Sequence, residues 1–205
     1  MNILKATRNN IMVASRIVQK GGLVIYPTET VYGLGCDPFN VEAVKQILTL
    51  KGIRRKPLPV LAASIKDAEK IATVSQKGKR LATKFWPGPL TLVVPRKPSI
   101  PDIVTFGLDS VGVRIPSNDV ALKLISLSGG LLIGSSANRS GGDPPRTVQE
   151  VANELKEKVD IVLNGGASAQ GRPSTVVELT SGEPRILRHG PLGFREILKA
   201  LAISG

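Results

Sequence analysis

Four cations stand within six residues in the stretch Lys51-Gly52-Ile53-Arg54-Arg55-Lys56, just before Pro57-Leu58. Arginine offers a planar fork to phosphate oxygens and lysine a mobile point charge, so Lys51, Arg54, Arg55 and Lys56 are suited to clamp a polyphosphate. The competing reading is stabilisation of a helix C-terminus by its macrodipole, because the preceding residues read as a helix. Arg114 and Arg188 pose a different question. Each lies within or just after an otherwise apolar strand, where an unpaired cation is costly. Each needs either an anionic ligand or a structural ion pair, and Asp109 and Glu183 are near in sequence as partners.

The rest of the inventory works by exclusion. One cysteine, Cys36, and one histidine, His189, can build neither a disulfide framework nor a Cys/His zinc site. His189 sits in Arg188-His189-Gly190-Pro191, a setting that suits a turn better than a general base. The run from Gly166 to Pro173 has the glycine spacing of a P-loop, but Arg172 and Pro173 occupy the lysine and magnesium-hydroxyl positions, so it is not a Walker A motif. No Gly-x-Gly-x-x-Gly follows the first strand, and no Gly-x-Ser-x-Gly elbow is present.

These groups must be positioned by the elements around them. Apolar spacing predicts helices over 10–20, 41–50 (with Asn40 as N-cap), 77–85, 119–127 and 194–202, and a short one opened by Ser64 and Asp67 as a capping box. Thr147-Val148-Gln149-Glu150 is a full capping box and predicts a helix to about Lys158. Strands are expected at 23–26, 58–63, 90–94, 111–115, 131–134, 160–163, 175–179 and 185–187. The segments rich in Gly, Pro, Ser and Thr at 27–35, 135–145 and 165–174 each follow a strand, where open α/β sheets bind ligands. Any one of them is equally a turn; three together favour a site. With no repeat or linker, the chain reads as one α/β domain over 1–205, an open, twisted, mixed sheet flanked by helices.

Composition bounds the rest. The 205 residues are 41% hydrophobic and 21% charged, which excludes disorder, collagen-like repeats and a coiled coil. No apolar run approaches the roughly 20 residues needed to span a bilayer, and residues 1–19 carry no signal-peptide core, so a soluble, cytoplasmic protein is expected. The net charge of +12 suits either nucleic acid or a polyanionic small molecule. Seven scattered aromatics form no stacking platform for single strands.

Taken in order, Tyr26-Pro27-Thr28-Glu29-Thr30-Val31-Tyr32-Gly33-Leu34-Gly35, the basic cluster, Trp86-Pro87-Gly88-Pro89-Leu90-Thr91, Val113-Arg114-Ile115-Pro116, Ser136-Ala137-Asn138 with Ser140-Gly141, and Ser174-Thr175-Val176 before Leu187-Arg188 resemble the YrdC-like domain of threonylcarbamoyl-AMP synthases. The match is to the short, single-domain form and runs through nearly the whole chain. The resemblance implies an open, twisted α/β sheet with a basic concave face. It also implies an enzyme that condenses L-threonine, bicarbonate and ATP into threonylcarbamoyl-AMP and pyrophosphate, with Mg2+ assisting, on the route to the tRNA modification t6A.

By motif position, Thr28, Arg114, Ser136 and Ser174 should hold threonine, with Arg114 on its carboxylate. Lys51, Arg54 or Arg55, and Lys56 should meet the phosphates as the catalytic cations, with Ser110, Asn138, Thr147 and Arg188 around the nucleotide. The family's usual Lys-x-Arg-Pro is altered here by Ile53, and Pro173 stands where many relatives have Glu. Capping is the rival role for Thr147, and a strand-end bond the rival role for Ser136. A monomer is expected, working with downstream t6A-transfer machinery and without a membrane, and with weak affinity for double-stranded RNA or tRNA. The alternatives are a paralogue that binds RNA without synthase activity and a carbamoyl-adenylate enzyme with another acceptor.

Overall fold

The computed structural model describes residues 2–52, 56–181 and 183–202. The first half runs β1 (Ile3–Lys5), α1 (Arg8–Gln19), β2 (Val24–Tyr26), β3 (Gly33–Gly35), α2 (Val41–Lys51), β4 (Val60–Ala62), α3 (Ile65–Ala68), α4 (Gln76–Phe85) and β5 (Leu90–Pro95). The second runs α5 (Asp102–Thr105), β6 (Ser110–Arg114), α6 (Asp119–Leu127), β7 (Leu131–Ile133), β8 (Ser135–Ser136), α7 (Asn153–Lys156), β9 (Ile161–Asn164), β10 (Thr175–Glu178), β11 (Arg185–Arg188) and α8 (Phe194–Ala202).

Local chemistry accounts for most of the helix ends. Asn40 caps α2 by accepting from the Ala43 N–H at 3.0 Å, and Gly52 ends it in the left-handed region. Ser64 caps α3 as its spacing predicts, accepting from the Asp67 N–H at 3.1 Å, and its hydroxyl donates to the Asp67 carboxylate at 2.6 Å. The box at Thr147 behaves differently. Thr147 does accept from the Glu150 N–H, but the Glu150 carboxylate takes the Arg146 N–H. The Val148 carbonyl, which in a helix would accept from residue 152, instead takes the Val151 N–H and the Lys156 ammonium. The expected helix over 147–158 is therefore a turn followed by the single turn of α7.

The sheet is mixed and flanked by helices as the alternation implies, with its strands divided between two sheets. The five-stranded one has the order β1-β9-β2-β3-β8, and the six-stranded one β11-β10-β5-β6-β4-β7. Their junction is β7-Gly134-β8, where one chain leaves the edge of one sheet and enters the edge of the other. The Ile133 N–H donates to the Cys36 carbonyl just after β3, and the Gly134 N–H to Pro59 just before β4, so the two sheets are sewn together at this point. Tyr26 closes the seam by donating its hydroxyl to the Ile133 carbonyl at 3.0 Å.

Several strands are apolar on both faces, which is why their sequences read as continuous hydrophobic runs. Val24, Leu61, Leu132, Ile161 and Leu163 join Ile11, Ala14 and Val18 of α1 and Leu124 and Ile125 of α6 in one core layer. Their strand neighbours Ile25, Val60, Ile133 and Val162 face the larger layer, with Val44 and Ile47 of α2, Leu81 of α4 and Ile197 of α8. Among the described residues no helix is long and apolar enough to cross a membrane.

Strand β3 escapes the sequence pattern because its ends are glycines. They are needed: a Cβ on Gly33 would lie 2.8 Å from the Tyr26 ring, and one on Gly35 would lie 2.6 Å from the Ile133 carbonyl oxygen. Since that oxygen also receives the Tyr26 hydroxyl, the backbone cannot yield cheaply. Gly35→Ala should destabilise the fold by about 1–3 kcal/mol through overpacking, read as a lowered midpoint in urea at unchanged slope.

Candidate active site

A cleft of about 160 Å³ opens where the two sheets meet. Its walls come from the β2–β3 turn, the residues after α2, the C-terminal end of β6, the β7–β8 corner with the loop beyond it, the residues just before β10 and the end of β11. Thr28, Lys51, Lys56, Arg114, Ser136, Asn138, Ser174 and Arg188 all line it. Such a volume is below the roughly 300–1,000 Å³ of drug-sized pockets, and suits an amino-acid-sized group with a larger ligand extending over the open side.

Arg114 ends β6 and is 5% exposed. Its Nη1 donates to Thr30 Oγ1 at 3.0 Å, and its only ion partner among the described residues is Glu29, at 3.8 Å. Asp109 and Glu183 play no part in this: Glu183 pairs with Lys77. Burial pushes the Arg114 pKa down, opposed by Glu29 and then Tyr26. The turn that carries Thr30 is held by Thr28, whose Oγ1 accepts the Thr30 and Val31 N–H groups and donates to the Val31 carbonyl at 2.6 Å. With its one proton so used, Thr28 accepts from the Thr30 hydroxyl at 2.9 Å. The polar chain thus runs in one direction, Arg114 to Thr30 to Thr28 to Val31, and Thr28 acts on the cleft by fixing the other two.

Opposite stands Ser174, 4% exposed, whose Oγ shares a hydrogen bond with Thr91 Oγ1 at 2.8 Å and accepts from Arg188 Nη2 at 2.9 Å. Arg188 Nε donates to the Ser174 carbonyl, so this guanidinium clasps the serine from two sides. Its pKa is lowered by burial and then by repulsion from Arg114.

Lys51, the last residue of α2, is 4% exposed and does not cap its own helix. Its ammonium donates to the Ser136 carbonyl and, at 2.6 Å, to the Asn138 carbonyl, while its own carbonyl takes the Ser140 N–H. The loop after β8 is thereby bound to the end of α2. Burial, and after it the charge of Lys56, brings the Lys51 pKa down to about 8. Asn138 Nδ2 is spent on the Arg139 and Gly142 carbonyls, leaving a buried Oδ1 that accepts nothing among the described residues.

Two expected residues stand apart. Ser110 opens β6 opposite Pro95, about 13 Å of strand from Arg114, and Thr147 sits in its own turn; neither lines the cleft. Arg54 and Arg55 lie outside the described residues. The structure adds Thr30 and Thr91, which line the cleft, and Glu29 beside Arg114; all three stand in the family-like motifs, but the sequence alone gives them no role. Tyr32 is a further addition. It is fully buried, yet its hydroxyl donates to the Gly166 carbonyl and accepts from the Gly165 N–H, its N–H reaches Pro145 and its carbonyl takes the Ala137 N–H. The loop after β8 and the loop after β9 are thereby tied to Tyr32's own turn, three loops in all.

Residues 16–190 match the Sua5/YciO/YrdC family model, which is described as "Telomere recombination". A threonylcarbamoyl-AMP synthase of Pyrococcus abyssi (strain GE5 / Orsay) is 41% identical over 193 residues, 93% of this chain and 57% of that protein. A putative threonylcarbamoyl-AMP synthase of Mycobacterium tuberculosis (strain CDC 1551 / Oshkosh) is 37% identical over 196 residues, 95% of this chain and 90% of that one. The crystal structure of P. abyssi Sua5 complexed with L-threonine superimposes with a TM-score of 0.93 at 39% identity, covering 98% of this chain and 60% of that one. The chain therefore spans little more than half the length of the Pyrococcus protein and most of the mycobacterial one.

The buried Lys51 couples stability to pH. Its charged form is penalised in the folded state alone, so the penalty is full below its folded pKa of about 8 and is relieved as pH rises from there towards its ordinary value of 10.5. Relative to Lys51→Met, the native chain should gain about 2 kcal/mol between pH 7.5 and 9.5, measured by urea denaturation of both proteins; a flat difference contradicts it.

Proposed function

The chain belongs to the Sua5/YciO/YrdC family, and from that membership we propose that it condenses L-threonine, bicarbonate or CO2, and ATP into threonylcarbamoyl-AMP and pyrophosphate. The observation that carries this reading is the pairing, around one cleft, of a buried arginine set among hydroxyls with a second group of cations, Lys51, Lys56 and Arg188. The first arrangement suits a small hydroxylated carboxylate, and the second a triphosphate. The names of the relatives, and the threonine in the P. abyssi structure, support the same assignment.

The reaction needs no protein nucleophile, which fits a cleft lined by neither cysteine nor histidine. The threonine amine attacks CO2, or bicarbonate with loss of water, and gives up a proton to form the carbamate. A carbamate oxygen then attacks the α-phosphorus of ATP, and the bond to the β-phosphate oxygen breaks to release pyrophosphate. The protein's part is to orient the reactants and to meet developing negative charge. Arg114 holds the threonine carboxylate, with Thr28, Ser136 and Ser174 completing that end. Lys51, Lys56, Arg188 and an arginine at 54 or 55 draw on the phosphates, with Asn138 towards the nucleoside.

Mg2+ enters as part of the nucleotide substrate. Among the described residues no group of three or more acidic, histidine or cysteine side chains could hold it, and phosphate oxygens with water are its usual ligands in such sites. The product would be consumed by t6A-transfer machinery in the cytoplasm. The charge left on the surface, +6 once the six proposed site cations are set aside, is mild and accommodates weak RNA binding.

Incubation with ATP, bicarbonate and threonine should yield threonylcarbamoyl-AMP by mass detection and threonine-dependent pyrophosphate. Absence of both, alongside tight, salt-sensitive RNA binding, overturns the reading in favour of an RNA-binding protein. Arg114→Ala should lower threonine-dependent turnover by roughly 10²- to 10³-fold, the usual cost of orphaning a desolvated charge pair, with ATP affinity nearly unchanged in calorimetry. If Arg114→Ala only lowers the melting temperature, the arginine is a structural ion pair. Because Lys51 sheds its proton near pH 8, ATP affinity should decline above that pH, and Lys51→Met should flatten the profile.

A further inference from the structure

Beside Arg114 lies a buried carboxylate that the proposed reaction does not use. Glu29 follows Thr28 in the β2–β3 turn, and its side chain is 9% exposed. Among the described residues neither of its carboxylate oxygens accepts a hydrogen bond, and Arg114 Nε has no acceptor either. The two groups approach only to 3.8 Å, between Oε2 and Nη2. A carboxylate that served only to neutralise an arginine would close the charge-assisted fork at about 2.7–2.9 Å. The stand-off is built into the backbone. Thr30 and Val31 are pinned through their N–H groups to Thr28 Oγ1, and the Glu29 carbonyl takes the Gln170 N–H at 2.9 Å.

Arg114 lines the cleft and Glu29 stands behind it, with both carboxylate oxygens shut from solvent; a fixed positive and a fixed negative charge a few ångströms apart are the charge complement of an α-amino-acid zwitterion. The guanidinium takes the carboxylate, and an ammonium on the adjacent carbon lies within the field of Glu29, which the low-dielectric wall screens weakly. With Arg114 alone, beside Lys51, Lys56 and Arg188, the same cleft would favour any small anion.

We propose that Glu29 is a specificity-determining positioning residue, whose charge makes the cleft select a zwitterionic amino acid over a carboxylate of the same shape that lacks the amino group. The inference rests on the reading of Arg114 as the threonine carboxylate site. It concerns recognition of the ammonium, to which no residue has yet been assigned.

The test is calorimetric titration with L-threonine and with dihydroxybutyrate, which is threonine with its amino group replaced by hydroxyl. The native protein should prefer threonine by at least roughly tenfold, and Glu29→Gln, uncharged and of the same shape, should cut that preference about tenfold. Glu29→Asp, which keeps the charge, should retain the preference even where both affinities fall. A native protein that binds the two compounds equally overturns the proposal, whatever the variants do. So does a Glu29→Gln protein that loses affinity for both by the same factor, the result of a merely structural role. A native protein that binds neither compound overturns the amino-acid reading of the cleft, and this inference with it.

Discussion

A guanidinium taken almost wholly out of water at the end of β6 is the constraint around which the rest of this structure is arranged. Arg114 cannot shed its charge, and an uncompensated buried charge would cost several kcal/mol. The compensation comes from a single turn, in which Thr30 accepts its hydrogen bond and Glu29 supplies the opposite charge. That turn can reach Arg114 only because β2 and β3 pair antiparallel, and they can pair only because Gly33 and Gly35 clear space for the Tyr26 ring and the Ile133 carbonyl. The packing of the sheet junction and the polarity of the cleft are thus one problem with one solution.

Lys51 is the second buried cation, and it is handled differently. Arg114 meets a carboxylate and the Thr30 hydroxyl, whereas Lys51 meets two backbone carbonyls, which carry no countercharge. Its charge is only partly balanced, which is consistent with a pKa displaced towards neutrality and leaves it responsive to an arriving anion. The two ends of the cleft therefore differ in kind, one internally compensated and one electrostatically hungry. That asymmetry matches a substrate pair in which one member carries both signs of charge and the other only negative charge.

Much of this was legible in the sequence where the cause is local. Asn40, Ser64 and the amphipathic spacing of 194–202 locate helices because a cap or a stripe is decided within a few residues. Lys51 stands out in the sequence as part of a dense cation cluster, and Arg114 and Arg188 because a cation in apolar surroundings demands an explanation. What failed was non-local. The division into two sheets turns on a corner at Gly134 and on pairings between distant segments. Strand β3 has glycines where strand propensity looks for branched residues, and at Thr147 only one half of the box forms and no helix follows directly. Thr30 acquires its meaning from an arginine 84 residues away, and nothing in its own neighbourhood announces that partner.

The loops around the cleft are individually rich in glycine and serine, and such segments ordinarily lose much conformational freedom when they close on a ligand. Here Tyr32 already binds three of them together, through a ring hydroxyl and both of its backbone groups. The ordering cost is met during folding, before any substrate arrives. The loops are consequently a single thermodynamic unit: loosening any one of them weakens the hold of the other two, and affinity for each reactant becomes a property of the whole rim.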